Sequence, residues 1–286
     1  MVYRMLALDI DGTLLHSNDR LDRRTKDAIA FVKRKDVYVT LVTERHFHSA
    51  KKVAKALKLD TKLITQNGAF IASEMDQPLY EKRLSAELVN DIVDVLEDFD
   101  CHVRVSHERF SVGNRVRQKS ELIAKMTIGM TDPLFYPVTF VDSLSDYLVD
   151  HSIAPTKVDV HFFDQKERDA AMAVMRSEFP ETTVSCNGKE CEIVAERVSK
   201  ANGLAMLAEA LGIQDHEIVA VGDSWNDKEM IAAAGLGVAM KNAPREVKNI
   251  ADWVTRSNDQ NGVSFMVKEV FRKQLGRTFT AKYVDK

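Results

Sequence analysis

The chain has 286 residues, 45% hydrophobic and 29% charged, and at ~150 residues per domain that length holds about two compact units. Forty Lys+Arg against forty-three Asp+Glu leave a formal net charge of -3, so the basic excess that a polyphosphate backbone demands is missing and nucleic acid is excluded as a main partner. Twelve Gly and six Pro exclude collagen-like and Pro/Gly-rich disordered classes; three cysteines without a C-x-x-C pair, Cys101, Cys186 and Cys191, fit a reducing cytosol better than a disulfide scaffold.

The N-terminus meets the carboxylate of Asp9 too early for the apolar region of a signal peptide. No stretch reaches the roughly 18 apolar residues of a membrane span, the longest candidate being the Gly/Ala-rich Met230 to Met240. A soluble, cytoplasmic protein is expected, a monomer or weak homodimer with no membrane partner. Tyr3 to Leu8 reads as a strand, 22–35 as an amphipathic helix with Ala28, Ile29 and Val32 on one face, and Val37 to Val42 as a second strand. A helix over His46 to Lys58 and a strand over Lys62 to Thr65 follow. This alternation predicts βαβ units and a doubly wound, Rossmann-like parallel sheet. Asn67-Gly68 between apolar runs is a hairpin signal that interrupts it.

From Lys82 the grammar changes. A helix over Ala86 to Phe99, strands near Cys101 to Ser106, Arg109 to Val112 and Val138 to Val141, and a helix over Ser143 to His151 indicate an α+β insert. Lys157 to Phe163 alternates, with Val158, Val160 and Phe162 on one face and Asp159 and His161 on the other, predicting a sheet with one polar, wet face. A helix over Lys166 to Phe179 and a strand over Thr182 to Cys186 complete it. After Cys191 to Val194 the first grammar returns: helix Lys200 to Leu211, strand Ile218 to Val221, helix Trp225 to Ala234, strand Leu236 to Ala239, helix Val263 to Gln274 and a loose tail from Gly276. The expected division is a core of residues 1–81 and 191–286 split by an α+β cap of residues 82–190.

In an open parallel sheet, ligands collect beyond the carboxyl ends of the strands. Strand one ends in Asp9-Ile10-Asp11-Gly12-Thr13, strand two in Thr43, and the strand Ile218 to Val221 in Gly222-Asp223-Ser224-Trp225-Asn226-Asp227. Asp9, Asp11, Asp223 and Asp227 thus converge on one rim, where their mutual repulsion calls for a hard divalent cation. Oxygen-only ligands and an incomplete protein shell suit Mg²⁺. An Asp-x-Asp-Gly segment alone also reads as a turn with Asx hydrogen bonds, and the coincidence of three strand ends is what raises the metal reading above that one.

These residues carry a resemblance. "DIDGTL" at Asp9 to Leu14 is similar to the nucleophile motif of the haloacid dehalogenase superfamily, and "GDSWND" at Gly222 to Asp227 to its acidic metal motif. Thr43 matches its hydroxyl motif and Lys200 in "VSKANGL" its lysine. With "NGA" at Asn67 to Ala69, "GVAMKNA" at Gly237 to Ala243 and the long insert, the chain resembles the Cof-type phosphatases of that superfamily. The resemblance implies Asp9 as nucleophile forming an aspartyl-phosphate and Asp11 as general acid and base. It further implies Mg²⁺ held by the carboxylates of Asp9 and Asp223 and the carbonyl of Asp11, with Asp227 orienting from behind. Phosphate would be bound by Thr43, Asn226, Lys200 and the backbone amides of Ile10 and Glu44.

One departure stands inside the site: the family's Gly-Arg after the hydroxyl residue is here Glu44-Arg45. If the backbone requires positive φ, Glu costs energy there; if not, its amide can still serve phosphate while the side chain points away. His46 and His48 point about 200° apart on a helix and do not share one ion; a solvated helix end is expected. The resemblance makes residues 82–190 a cap that sets specificity. Arg104, Arg109, Arg115, Arg117, Lys119 and Lys125 face only Glu108 and Glu121, a positive bias suited, with Asp159 and His161, to small phosphorylated metabolites such as sugar phosphates or phosphorylated cofactors. Two other functions fit the same fold: a phosphosugar mutase, and a non-catalytic metabolite-binding regulator motivated by Glu44.

Overall fold

The computed structural model describes residues 2–107, 110–115 and 138–272. The chain begins with β1 (Met5–Leu8), α1 (Arg23–Lys33), β2 (Tyr38–Leu41), α2 (Phe47–Ala56), the hairpin β3 (Leu63–Thr65) and β4 (Phe70–Ala72), and β5 (Pro78–Glu81). It continues through α3 (Ala86–Glu97), β6 (Cys101–Ser106), β7 (Ser111–Asn114), β8 (Val138–Val141), α4 (Leu144–His151), β9 (Lys157–Phe162), α5 (Gln165–Glu178), β10 (Thr182–Asn187) and β11 (Glu190–Ala195). Then come α6 (Lys200–Ala210), β12 (Ile218–Gly222), α7 (Lys228–Ala233), β13 (Leu236–Ala239), α8 (Arg245–Ile250), β14 (Trp253–Val254) and α9 (Gly262–Phe271). Two compact units result, one comprising the chain up to Leu79 and from Ser199 onward, the other Tyr80–Val198.

The first unit is built on a parallel sheet of order β14-β13-β12-β1-β2. Met5, Leu6, Ala7 and Leu8 are all fully buried, as expected for a central parallel strand covered on both faces. Leu6 and Leu8 pack with Ile29, Val32 and Phe271, while Ala239 packs with Ile231 and Val247 on the opposite face. Helix α1 starts where the Asp22 carboxylate accepts from Arg24 N at 2.6 Å, satisfying an otherwise orphaned amide. The sheet's strand order reverses between β1 and β12, paired with Leu8 opposite Val221, so Asp9 and Asp223 leave neighbouring strands at the point where such folds bind ligands.

The third predicted strand does not join this sheet. β3 pairs antiparallel with β4 and meets the β2 region through a Val42–Ile64 bridge and side-chain hydrogen bonds such as Thr40 Oγ1 to Lys62 O at 2.8 Å, because Gln66, Asn67 and Gly68 all take positive φ and turn the chain back. The predicted helix at Trp225 starts instead at Lys228, after a single tight turn over Trp225–Asp227. β5, α8 and β14 are short elements that no periodicity announced.

The second unit carries a six-stranded sheet, β10-β11-β9-β6-β7-β8. β11 pairs antiparallel with both β9 and β10, which extends this unit to Val198; its buried Ile193, Val194 and Ala195 had the signature of a returning core strand. Cys186 and Cys191 lie directly opposite on β10 and β11 with Cα atoms 4.1 Å apart, and they form a disulfide. This corrects the expectation of free apolar thiols: two cysteines five apart across a tight hairpin meet by register, which a C-x-x-C search misses. Cys101 stays reduced and buried.

The alternation in β9 holds, but around Asp159 its polar face is closed by an ion-pair network, while His161 and Glu190 stay partly exposed. Asp159 accepts from Arg104 at 2.9 Å and Ser106 Oγ at 3.0 Å and pairs with Lys157 at 2.8 Å, which also reaches Glu192 at 3.1 Å. Arg104 and Lys157 are buried. Burial alone would raise the Asp159 pKa; Lys157 and Arg104 override it and hold the carboxyl below its usual range. Arg104 is therefore neutralised within its own sheet, and exposed Arg115 lies 3.4 Å from Asp142. Arg109, Arg117, Lys119, Lys125, Glu108, Glu121 and the tail lie outside the described residues. No helix among the described residues is long and apolar enough to cross a membrane.

Candidate active site

Asp9 follows β1 directly and donates its backbone N–H to Val221 O at 3.0 Å, so the strand pairing itself fixes the direction of its side chain. That side chain is buried, with Oδ1 accepting from Lys200 Nζ at 2.9 Å. Lys200 is the first residue of α6, after the Ser199 cap whose hydroxyl accepts from Asn202 N. Its ammonium also donates to Asp227 Oδ1 at 2.7 Å. The other Asp227 oxygen accepts from the amides of Asp223 and Ser224, both at 2.9 Å, and from Ser224 Oγ. Asp227 thus fixes Lys200 and the turn that presents Asp223.

Asp223 is held from the opposite side. Thr13 Oγ1 donates to its Oδ1 at 2.8 Å, and Asn242 Nδ2 donates to its Oδ2 at 3.0 Å and to Gly12 O at 2.9 Å. Gly12 has φ +67°, and a Cβ there would stand 2.1 Å from Asp223 Oδ2, so the turn after β1 closes against Asp223 only with glycine at that position. Asp9, Asp223 and Asp227 each offer an oxygen within 4.8 Å of the others. Three carboxylates at this spacing, with oxygen donors only, could hold a metal ion and fit a hard divalent cation.

The electrostatics reflect that crowding. Burial, with Asp227 and Asp223 nearby, pushes the Asp9 pKa well above the carboxylate range despite Lys200. Asp223 is pushed up to about 7, first by burial and then by Asp227, against the Thr13 hydrogen bond. Burial would lower Lys200, but Asp227, Asp9 and Glu44 reverse that and raise it.

Asp11 is exposed more than Asp9 and is gripped by Arg45, with Nε to Oδ2 at 2.7 Å and Nη2 to Oδ1 at 2.6 Å. Arg45 is itself anchored by Ser49 Oγ at 3.2 Å. Ile10 is fully buried, so only its backbone can face the site. Thr43 Oγ1 accepts from Arg45 N at 3.1 Å, which leaves its own proton available to donate.

Asn226 does not stand ready for phosphate. Its Nδ2 donates to Asn67 Oδ1 at 3.1 Å and Glu44 Oε2 at 3.3 Å, and its Oδ1 accepts from Ser224 Oγ. Glu44 is absent from the positive-φ residues, so the backbone carries no strain there, but its side chain turns toward Asn226 rather than away. His46 is buried, with Nδ1 3.2 Å from Gln66 Nε2, correcting the expected solvated helix end, while His48 is exposed.

Arg45, Asn67, Asn242, Thr13 and Ser224 belong to this constellation and were not singled out as site residues. Asn67 and Asn242 sit in the segments "NGA" and "GVAMKNA", and Gly68 explains the first: a Cβ there would stand 2.2 Å from Ser199 O. The hairpin turn therefore packs onto the start of α6 and carries Asn67 into hydrogen-bond reach of Asn226.

A family model described as haloacid dehalogenase-like hydrolase matches residues 6–267. The chain is 47% identical over 284 residues to the stress response protein YhaX of Bacillus subtilis, covering 99% of this chain and 98% of that one. It is 28% identical to the 5-amino-6-(5-phospho-D-ribitylamino)uracil phosphatase YitU of the same species, covering 93% and 97% respectively. A solved haloacid dehalogenase-like hydrolase from B. subtilis superposes with a TM-score of 0.79 at 27% identity, covering 93% of this chain and 99% of that one.

Proposed function

The chain belongs to the haloacid dehalogenase-like hydrolases and has their phosphatase chemistry, and we propose that it hydrolyses small phosphorylated metabolites with Mg²⁺ through an aspartyl-phosphate on Asp9. The observation that carries this reading is the buried Asp9 carboxylate held by Lys200 at 2.9 Å beside Asp223 and Asp227. Asp9 Oδ1 is fixed by the ammonium, which orients the side chain for in-line attack and screens its charge from an incoming phosphate. Mg²⁺ held by Asp9, Asp223 and the Asp11 carbonyl would supply charge neutralisation for the transferring group.

Attack of an Asp9 oxygen on phosphorus forms a P–O bond as the ester P–O bond breaks. Asp11 gives its proton to the departing oxygen. Water then attacks the aspartyl-phosphate, Asp11 takes a proton from it, and inorganic phosphate and the free Asp9 carboxylate result. The bidentate Arg45 bond is made with the carboxylate form of Asp11, the form the second step uses. Thr43 Oγ–H and the amides of Ile10 and Glu44 are the phosphate donors in this reading. The relatives with uracil-ribityl phosphate substrates support a leaving group of metabolite size.

The test is turnover of p-nitrophenyl phosphate with Mg²⁺ by wild type and Asp9→Asn, followed by a screen of sugar phosphates and phosphorylated cofactors. Mg²⁺-dependent release of inorganic phosphate that vanishes in Asp9→Asn is expected. Turnover that survives in Asp9→Asn would overturn the nucleophile assignment.

A further inference from the structure

The Cys186–Cys191 disulfide joins residues that the sheet of the second unit already holds together. β10 and β11 pair in register from Thr182 opposite Ala195 to Asn187 opposite Glu190, with the two cysteines facing each other inside that ladder. The hairpin tip is tied down without the bond as well: Phe162 N donates to Lys189 O at 3.0 Å, and the Arg168 guanidinium donates to Gly188 O. The cysteines are five positions apart, and the entropy that a cross-link removes from the unfolded chain grows with the loop it closes. A bond that closes so short a loop within an existing ladder adds little to the fold.

The two sulfurs stand in unlike surroundings. Cys191 is buried on the inner strand β11, with the buried Val160 of β9 directly opposite it on the side away from Cys186. Cys186 is exposed and lies on β10, the terminal strand of the sheet among the described residues. A thiolate attacks a disulfide from behind the sulfur it joins, in line with the bond that breaks. Behind Cys191 that path runs into Val160, whose side chain shares its face of the sheet. Behind Cys186 it runs off the sheet's edge. The third thiol does not compete: Cys101 is buried, donates to Leu96 O at 3.3 Å, and is pushed up to about 12 by burial and then Asp100.

We propose that Cys186–Cys191 is a thiol–disulfide exchange site for low-molecular-weight thiols, in which Cys186 is the sulfur that becomes S-thiolated and Cys191 the one that leaves and later resolves. The incoming thiolate forms an S–S bond to Cys186 Sγ as the Cys186–Cys191 bond breaks, and the electron pair of the broken bond goes to Cys191 Sγ, which takes up a proton. Cys191, deprotonated again, attacks Cys186 Sγ, expels the small thiol and restores the pair. Alternatively a second small thiolate attacks the small molecule's own sulfur, releasing a low-molecular-weight disulfide and leaving both cysteines as thiols, a two-electron reduction of the protein by two small thiols. The ladder keeps β10 against β11 throughout, so Cys191 stays within reach of Cys186.

The probe is glutathione, and the protein is the full chain under native conditions, quenched with acid, alkylated and mapped by peptide mass. In the oxidised wild type exposed to reduced glutathione, the trapped mixed disulfide is expected on Cys186. Reduced Cys191→Ser exposed to oxidised glutathione should gather one glutathione on Cys186, while Cys186→Ser should react at Cys191 at least about tenfold more slowly, because burial withholds a thiol from attack. Mixed disulfide on Cys191, or equal rates in the two variants, overturns the proposal. A wild type that stays closed and free of adduct in millimolar reduced glutathione overturns it too, since the bond would then be structural only. Both serine variants should fold, because the ladder and the tip contacts do not use the bond; if one does not, the position and extent of reaction in the wild type decide alone.

Discussion

Both carboxylate oxygens of Asp11 are held by Arg45, Oδ2 by Nε at 2.7 Å and Oδ1 by Nη2 at 2.6 Å. The planar fork fixes the rotation of the carboxyl group as well as its position, which a single contact would not do. Arg45 takes its own place from the hydroxyl of Ser49, one turn along α2, so Asp11, the proposed general acid and base, is oriented from the start of a helix as well as by the turn that carries it.

Arg45→Lys keeps the charge and loses the fork. For alkyl phosphates, whose leaving oxygen needs a proton, kcat is expected to fall about 10- to 100-fold, part of the ~10²–10⁴-fold that a well-placed acid–base group contributes. For p-nitrophenyl phosphate, whose leaving group departs without one, the loss should be several-fold smaller. Steady-state kinetics on the two esters check this; equal losses would mean that Arg45 does not act through Asp11.

Among the described residues, Lys200 supplies the positive charge paired with Asp9, and it is buried between Asp9 and Asp227. Lys200→Met removes that charge from between two buried carboxylates, and breaking such a pair costs about 3–5 kcal/mol. The urea midpoint should drop accordingly, and pairing the change with Asp227→Asn should recover part of it, since fewer uncompensated charges remain. Equilibrium denaturation of wild type, single and double variants measures the effect. A double variant no more stable than Lys200→Met would argue against the charge as the cause.

The disulfide is checked by thiol counting. Cys101 is buried, and burial first, then Asp100, pushes its thiol up to about 12, so it carries almost no reactive thiolate near neutrality. Native, unreduced protein should therefore take up almost no alkylating agent, and gentle reduction should expose the Cys186–Cys191 pair while leaving Cys101 unlabelled. The loop between them is short, and loss of the bond is expected to cost about 2 kcal/mol on the chain-entropy account. Intact mass after labelling reads the count, and labelling of Cys186 before reduction would show the pair to be open.

The carboxylates at the rim were legible because they follow strands whose apolar runs are unambiguous: Asp9 after Met5–Leu8 and Asp223 after Ile218–Gly222. A strand end is a place that topology fixes, so its next residue can be located from pattern alone. Arg45, Asn67 and Asn242 were not legible in the same way. Their roles arise from loops meeting across long sequence separations, Arg45 with Asp11 and Asn242 with Gly12, and one sequence carries no local signal of such pairings. The same limit hid β11, whose buried Ile193 and Val194 look alike in either sheet, and the Cys186–Cys191 register. Asn226 was placed on phosphate by resemblance, whereas its amide is committed to Glu44 and Asn67.

The crowding around Asp223 gives the metal a pH signature. Burial and then Asp227 push its pKa up to about 7, from about 3.8 for a free aspartate. Between those values the folded protein without metal keeps a proton that the unfolded chain has lost, so folding binds protons and stability falls as pH rises through that window. Asp9 is raised as well, for the same first cause of burial, and adds in the same direction. Mg²⁺ needs the deprotonated oxygens and competes with those protons, so its affinity should rise with pH, by about tenfold per unit for each proton displaced, and level off once Asp223 has ionised. Thermal unfolding with and without Mg²⁺ should show the metal-free Tm declining from about pH 5 to about pH 8, while the gain on adding Mg²⁺ grows over the same range. Asp223→Asn, which removes the titrating group without changing its shape, should flatten the metal-free decline and abolish most of the Mg²⁺ gain. A Mg²⁺ gain independent of pH, or one that survives in Asp223→Asn, would place the ion elsewhere.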